Sequence, residues 1–134
     1  VHETTIHVRW GELDPYRHVN HASYLGYLEH ARVEALESIG WGMDRIAEFG
    51  CRVVVARADV RFREPASGGD TLTVRTSIAD LRGASSRWHQ EIRRGDDLIL
   101  EAEITAACTN LAGRPTRTPR DLQRGLAALE ADDH

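Results

Sequence analysis

The sequence predicts an α+β fold: an antiparallel five-stranded sheet around one long helix, with a short C-terminal helix. Three observations carry this expectation. A helical period runs unbroken from Tyr24 to Ile39. A strict period of two recurs four times after residue 50. The connections between those alternating runs are short and rich in Gly, Asp and Pro, which joins antiparallel neighbours.

The elements follow in order. Ile6, Val8 and Trp10 alternate with His7 and Arg9, which predicts a short first strand. The turn Asp-Pro-Tyr-Arg comes next. Tyr24, Leu28, Ala31, Ala35 and Ile39 then recur at helical spacing, with Leu25, Val33 and Leu36 widening the stripe. Charged Glu29, Arg32, Glu34 and Glu37 take most of the remaining surface. Asn20 stands where an N-cap belongs, and Gly40 where the helix must stop. A short helix is expected at Met43 to Glu48.

Beyond it lies an Arg-rich strand at 52–63. Ala56, Ala58, Val60 and Phe62 form its expected buried face. Leu72, Val74, Thr76 and Ile78 form the buried face of the next strand, and Ser86, Trp88, Gln90 and Ile92 that of the one after. The last strand places Leu98, Leu100, Ala102, Ile104, Ala106 and Cys108 on one side. Thr118 is the expected N-cap of a final helix, with Pro119 at its first position and Leu122, Leu126 and Leu129 as its stripe. An exposed 52–63 strand invites pairing with a second copy of the chain, so a homodimer is expected.

Composition narrows the function classes. The 134 residues are 41% hydrophobic, enough for one domain, 1–134, with its own core. No run approaches the roughly 18 apolar residues of a membrane span. The Val-His-Glu-Thr-Thr start lacks a signal peptide's basic and apolar regions, so a cytoplasmic setting is expected. Cys51 and Cys108 are widely spaced and read as buried, reduced thiols. A net charge of −4 argues against non-specific nucleic-acid binding. All 17 basic residues are arginine, whose planar fork suits phosphate and carboxylate. The groups Arg82, Arg87, Arg93, Arg94 and Arg114, Arg117, Arg120 are open to two readings, a solvated ion-paired face or a phosphate site.

The densest chemistry lies in DPYRHVNHASY, Asp14 to Tyr24. As a bland turn it needs only Asp14, Pro15 and a cap. Asp14, His18 and His21 also raise a metal site, but no third histidine stands beside them.

The surrounding segment RWGELDPYRHVNHASYLGYLEHARVEAL resembles the hotdog-fold acyl-CoA thioesterases of the 4-hydroxybenzoyl-CoA thioesterase superfamily. The matching residues are Trp10, Gly11, Glu12, Asp14, His18-Val19-Asn20-His21, Tyr24 and Glu29-His30-Ala31-Arg32. Later matches are Arg63-Glu64-Pro65 with Gly69-Asp70, Trp88 with Gln90-Glu91-Ile92, Gly113-Arg114-Pro115 and Thr118-Pro119. The resemblance implies the hotdog fold, a homodimer or homotetramer with active sites at the dimer interface, and no cofactor or metal.

It also implies hydrolysis of an acyl-CoA thioester to free acid and coenzyme A. Asp14 would be nucleophile or general base. The backbone N–H of His21, at the helix start, would polarise the carbonyl, where negative charge develops. The His21 imidazole is a second catalytic candidate, since such a group can orient water or protonate a leaving thiolate. Tyr16, His18 and Asn20 are substrate-binding candidates in the same turn, and Arg82 and Arg87 are candidates for the coenzyme A phosphates. Two alternatives stand beside this reading: a thioesterase acting on acyl groups held by an acyl carrier protein, and a non-catalytic domain that binds acyl thioesters.

Overall fold

The computed structural model describes residues 1–131. The chain runs β1 (His2–His7), a 3-10 turn (Trp10–Glu12), α1 (His21–Ser38), α2 (Met43–Glu48) and β2 (Cys51–Phe62). It continues β3 (Thr71–Arg82), β4 (Ser85–Arg94), β5 (Asp97–Asn110) and α3 (Arg120–Ala127). The strands form one five-stranded sheet in the order β1-β3-β4-β5-β2. Every neighbouring pair is antiparallel. This is the expected hotdog arrangement: β3, β4 and β5 form a meander, β1 and β2 are its edges, and α1 lies on one face.

The alternation read from the sequence sets the rungs of that face. One rung runs Thr4, Val74, Ile92, Leu100, Phe62 across all the strands. Trp88, Ile92, Leu100 and Ile104 are buried beneath α1's apolar stripe, whose Leu28, Ala31 and Ala35 are fully buried. Gln90 lies on the same face and is also fully buried. Its Nε2 donates to the Leu28 carbonyl at 3.0 Å and to Thr76 Oγ1 at 3.1 Å. Its Oε1 accepts from Arg32 at 2.9 Å, so every polar atom of the side chain is used.

The ends of α1 are set by local chemistry. Asn20 Oδ1 accepts from the Ala22 N–H at 2.9 Å, as expected of the N-cap. At the other end Trp41 N donates to Leu36 O and Gly40 N to Glu37 O, a Schellman closure. It requires a left-handed residue, and Gly40 supplies φ +81°.

Several expectations need correction. β1 begins and ends earlier than the period implied, and Trp10 stands in the 3-10 turn, 79% exposed. Val8 N still bonds Asp70 O in register with β3, and the chain leaves the sheet at Arg9, whose N–H turns to Glu12 Oε1 at 2.8 Å. On α1, Leu25 is exposed and Tyr27 is buried in its place. In α3, Pro119 occupies the N-cap and the helix starts at Arg120. Thr118 is not the cap; its N–H is committed to Gly83 O of the β3–β4 turn.

The largest correction concerns β2. A register shift between Val55 and Arg57 leaves Ala56 in a bulge. The bulge reverses the phase of the strand, so Val53 and Val55 before it share the helix-side face with Ala58, Val60 and Phe62 after it. Little of that face is covered: Val60 is half-buried, while Ala58 and Phe62 are exposed. β2 is an edge strand, and α1 lies nearest β1 and β3.

Cys51 and Cys108 are buried and unbridged, as expected. Burial, and then the neighbouring Cys51, pushes the Cys108 thiol up to about 11.

α3 meets α2's approach at Gly125, where an added Cβ would stand 2.8 Å from the Trp41 ring. Trp41 cannot move aside easily, because Phe49 packs at 4.9 Å and Arg45 stacks at 3.9 Å from the ring centroid. Gly125→Ala is therefore expected to destabilise by about 1–3 kcal/mol despite its better helix propensity. A denaturant midpoint no lower than that of the parent protein would contradict this.

Candidate active site

The loop between the 3-10 turn and α1 is built around Asp14. Its Oδ1 accepts from the N–H groups of Tyr16 at 2.8 Å and His18 at 3.1 Å. Its own N–H donates to His18 O at 2.8 Å, and Arg17 N donates to Asp14 O at 3.0 Å. The loop is tight enough to force Arg17 to φ +62°, the one non-glycine with positive φ among the described residues. Among the same residues, Asp14 Oδ2 takes no hydrogen bond. One oxygen holds the turn and the other is unengaged.

Two tethers place this loop against the sheet. Val19 N donates to Ala66 O at 2.8 Å, and His18 bridges Ser67. From the helix side, the buried Tyr24 hydroxyl accepts from Ala66 N at 3.0 Å. The Pro65–Asp70 segment is fixed in turn by Arg94, whose Nη1 donates to Asp70 Oδ2 at 2.9 Å. Burial alone would raise the Asp70 carboxyl, but the Ser67 N–H and Arg94 outweigh it and hold it below the usual range. The 3-10 turn is anchored through Glu12, whose Oε1 accepts from Tyr27 Oη and from Arg9 N, both at 2.8 Å. Burial, then this carboxylate, pushes the Tyr27 hydroxyl up.

The result is a cleft of about 240 Å³ lined by Asp14, His18, His21, Tyr24, Phe62 and Arg63, among others. The His21 ring lies 4.7 Å from the Phe62 ring, centroid to centroid. Asn20 engages the Ala22 amide, which leaves the His21 amide at the helix tip without an intrahelical acceptor. A carboxylate oxygen, a free amide at the positive end of a helix and an imidazole therefore border one small volume. That set can activate water and receive an oxyanion. Among the described residues no group of three metal-ligating side chains converges.

Not every candidate lies here. Tyr16 is 80% exposed and outside the cleft lining. Arg82 and Arg87 stand at the β3–β4 turn, where Arg82 Nε pairs with Asp80 at 2.8 Å. That turn and the Asp14 loop stand at opposite ends of β3, whose 12 residues span at most roughly 36 Å. Conversely, Phe62, read as core, is a wall of the cleft, and Glu12, Tyr27, Asp70 and Arg94 emerge as its scaffold. Their partners are distant in sequence, so spacing alone could not reveal them.

Two larger recesses lie beside α1. One of about 520 Å³ between β1 and α1 is lined by His7, Arg9, Glu12, Tyr27 and His30, among others. Its one carboxylate is already engaged by Tyr27 and Arg9. The other, about 370 Å³, lies between α1 and the first half of β2.

The family model of the thioesterase-like superfamily matches residues 8–126. The chain belongs to that superfamily. It is an enzyme of the thioester-hydrolase class. It is 34% identical over 114 residues to the long-chain acyl-CoA thioesterase FadM of Escherichia coli K12, covering 81% of this chain and 83% of that one. It is 32% identical over 135 residues to the chloroplastic acyl-acyl carrier protein thioesterase ATL3 of Arabidopsis thaliana, covering 98% of this chain and 71% of the relative. Among solved structures, the probable thioesterase YbaW of Escherichia coli superposes with TM-score 0.82 at 30% identity, covering 96% of this chain and 98% of that one. A hypothetical protein of Thermus thermophilus superposes with TM-score 0.89 at 33% identity, covering 96% and 98%. Among the described residues, no helix is long and apolar enough to cross a membrane.

Tyr24→Phe is expected to cost about 1–3 kcal/mol, because it leaves the buried Ala66 N–H without an acceptor. Urea denaturation reads this directly, and unchanged stability would show that the tether is dispensable.

Proposed function

We propose that the protein hydrolyses acyl-CoA thioesters in the Asp14 cleft. The supporting observation is the division of labour within one carboxylate: Oδ1 accepts the turn's amides, and Oδ2 is free beside the start of α1. As general base, Asp14 takes a proton from water while the water oxygen attacks the carbonyl carbon. The oxyanion forms at the His21 N–H, strengthened by the helix dipole. Collapse breaks the C–S bond, and the proton held on Asp14 goes to the departing thiolate. As nucleophile, Asp14 Oδ2 instead attacks the carbonyl carbon, the C–S bond breaks to release the coenzyme A thiolate, and water then opens the resulting acyl anhydride to the free acid and the Asp14 carboxylate. Both routes use the same positions. The His21 imidazole, which also lines the cleft, would orient the water.

The uncovered face of β2 supports a homodimer through that edge. The Cys51 end of β2 and the β3–β4 turn lie at the same end of the sheet. Antiparallel pairing of two β2 strands would bring that end of one protomer beside the Asp14 cleft of the other. It would also carry Arg82 and Arg87 toward the coenzyme A phosphates of a substrate in the neighbouring cleft.

Hydrolysis of acyl groups on an acyl carrier protein is a second reading, favoured by the similarity to ATL3 over 98% of the chain. Rates on one acyl group carried by coenzyme A and by a carrier protein separate the two.

Asp14→Asn retains an Oδ1 acceptor, so the turn is expected to survive while hydrolysis falls by about 10²–10⁴-fold. Full activity in this variant, with thiol release as the readout, would refute the assignment. His21→Ala keeps the backbone amide and is expected to lose less, the difference measuring the imidazole's share. Val55→Arg, on the exposed edge strand, is expected to halve the mass seen by light scattering and to lower activity with it. A dimer of unchanged mass would exclude the β2 interface.

A further inference from the structure

Neither the fold nor the proposed hydrolysis makes full use of Arg32. This α1 side chain is partly buried, and Nη1 donates to Gln90 Oε1 at 2.9 Å. Among the described residues that is its one hydrogen bond, and no carboxylate is ion-paired with it. Gln90 is locked by its bonds to Leu28 O and Thr76 Oγ1, so the guanidinium is fixed at one corner. An arginine carries five N–H donors. Most of these remain for another acceptor.

Arg32 forms part of the wall of the 370 Å³ groove between α1 and β2, with Val33, Leu36, Val53, Val55 and Trp88. The groove and the Asp14 cleft share one surface, the bare inner face of β2: Val53 and Val55 border the groove and Phe62 borders the cleft. Along the helix, Arg32 lies about 16 Å from His21. Glu29 stands at the same groove, one turn earlier on α1, and its charge acts on Arg32 without an ion pair. Burial nevertheless lowers the Arg32 pKa, so its surroundings do not fully compensate the charge.

We propose that Arg32 is a specificity-determining residue that binds an acceptor oxygen near the far end of the substrate's acyl group. The acyl chain lies in the groove between α1 and β2, and the oxygen belongs to a carboxylate, hydroxyl or oxo group. This rests on the thioester-hydrolase reading. Charge complementarity selects the occupant. A plain hydrocarbon laid over Arg32 removes water from the guanidinium and returns no acceptor, whereas an oxygen-bearing chain supplies one.

The test compares dodecanoyl-CoA, ω-hydroxydodecanoyl-CoA and the mono-CoA thioester of dodecanedioic acid on the purified full chain. The expected result is a kcat/KM about tenfold or more higher for the oxygen-bearing substrates, expressed mainly in KM. Arg32→Met is expected to remove that preference, bringing the three substrates to similar kcat/KM. Arg32→Lys, which keeps the charge without the fork, is expected to restore part of it. The proposal is overturned if the parent protein treats all three alike or prefers dodecanoyl-CoA. Equal losses on all three in Arg32→Met would also overturn it, marking a purely structural side chain. Should Arg32→Met fail to fold, the parent ratios and Arg32→Lys decide. If no thioester is cleaved, the hydrolase reading fails separately, and calorimetry still tests the site: dodecanedioate must bind more tightly than dodecanoate, and equal affinity refutes the proposal.

Discussion

A single α-helix is about 10 Å across, and five strands spaced about 4.8 Å apart make a wider floor than it can cover. That mismatch governs much of this protein. α1 lies toward β1 and β3, and the far edge strand keeps its apolar side chains in the open. A bulge at Ala56 enlarges the effect by bringing Val53, Val55, Ala58, Val60 and Phe62 onto one side. The Asp14 cleft and the Arg32 groove both border this uncovered strip. An edge strand of this length with exposed valines is also a hazard in a lone chain, which is the physical motive for a second copy to cover it.

The cleft itself is rigid because of side-chain bonds to backbone. Asp14 uses one oxygen to close its loop, Tyr24 and Val19 tie the loop and helix to Ala66, and Arg94 fixes the segment beyond through Asp70. Of these groups the Ala66 N–H is buried and would go unpaired without Tyr24, while the Asp14 bonds are exposed and fix the loop's geometry. The second Asp14 oxygen stands outside this network. Placement of a reactive atom within a fraction of an ångström depends on such support rather than on the reactive residue alone.

The buried Gln90 links the two ends of this design. It joins the α1 backbone, the sheet and the Arg32 guanidinium in one satisfied network. In the sequence it was an ordinary inward-facing position between Trp88 and Ile92. Only the tertiary contacts make it the support of a half-used cation.

The sequence by itself determined the class of fold, the long helix with its Asn20 cap and Gly40 stop, the short helix at Met43 to Glu48 and the meander. These follow from period, capping and turn chemistry, which act between residues near one another in the chain. It also pointed to Asp14, before the helix, and His21, at its first residue, as candidates through the resemblance carried by the surrounding motif. Elements went astray where a distant partner overrode a local signal. Trp10 left the first strand because Arg9 N turns to Glu12, Thr118 stands one residue before the helix with its N–H on Gly83 O, and Phe62 became a cleft wall because His21 and Tyr24 of α1 cover only part of its ring. The free oxygen of Asp14, the scaffold of Glu12, Tyr27, Asp70 and Arg94, and the separation of Arg82 and Arg87 from the cleft were decided by tertiary structure alone. Each depends on contacts between residues far apart in sequence, and no local period records which of them will meet.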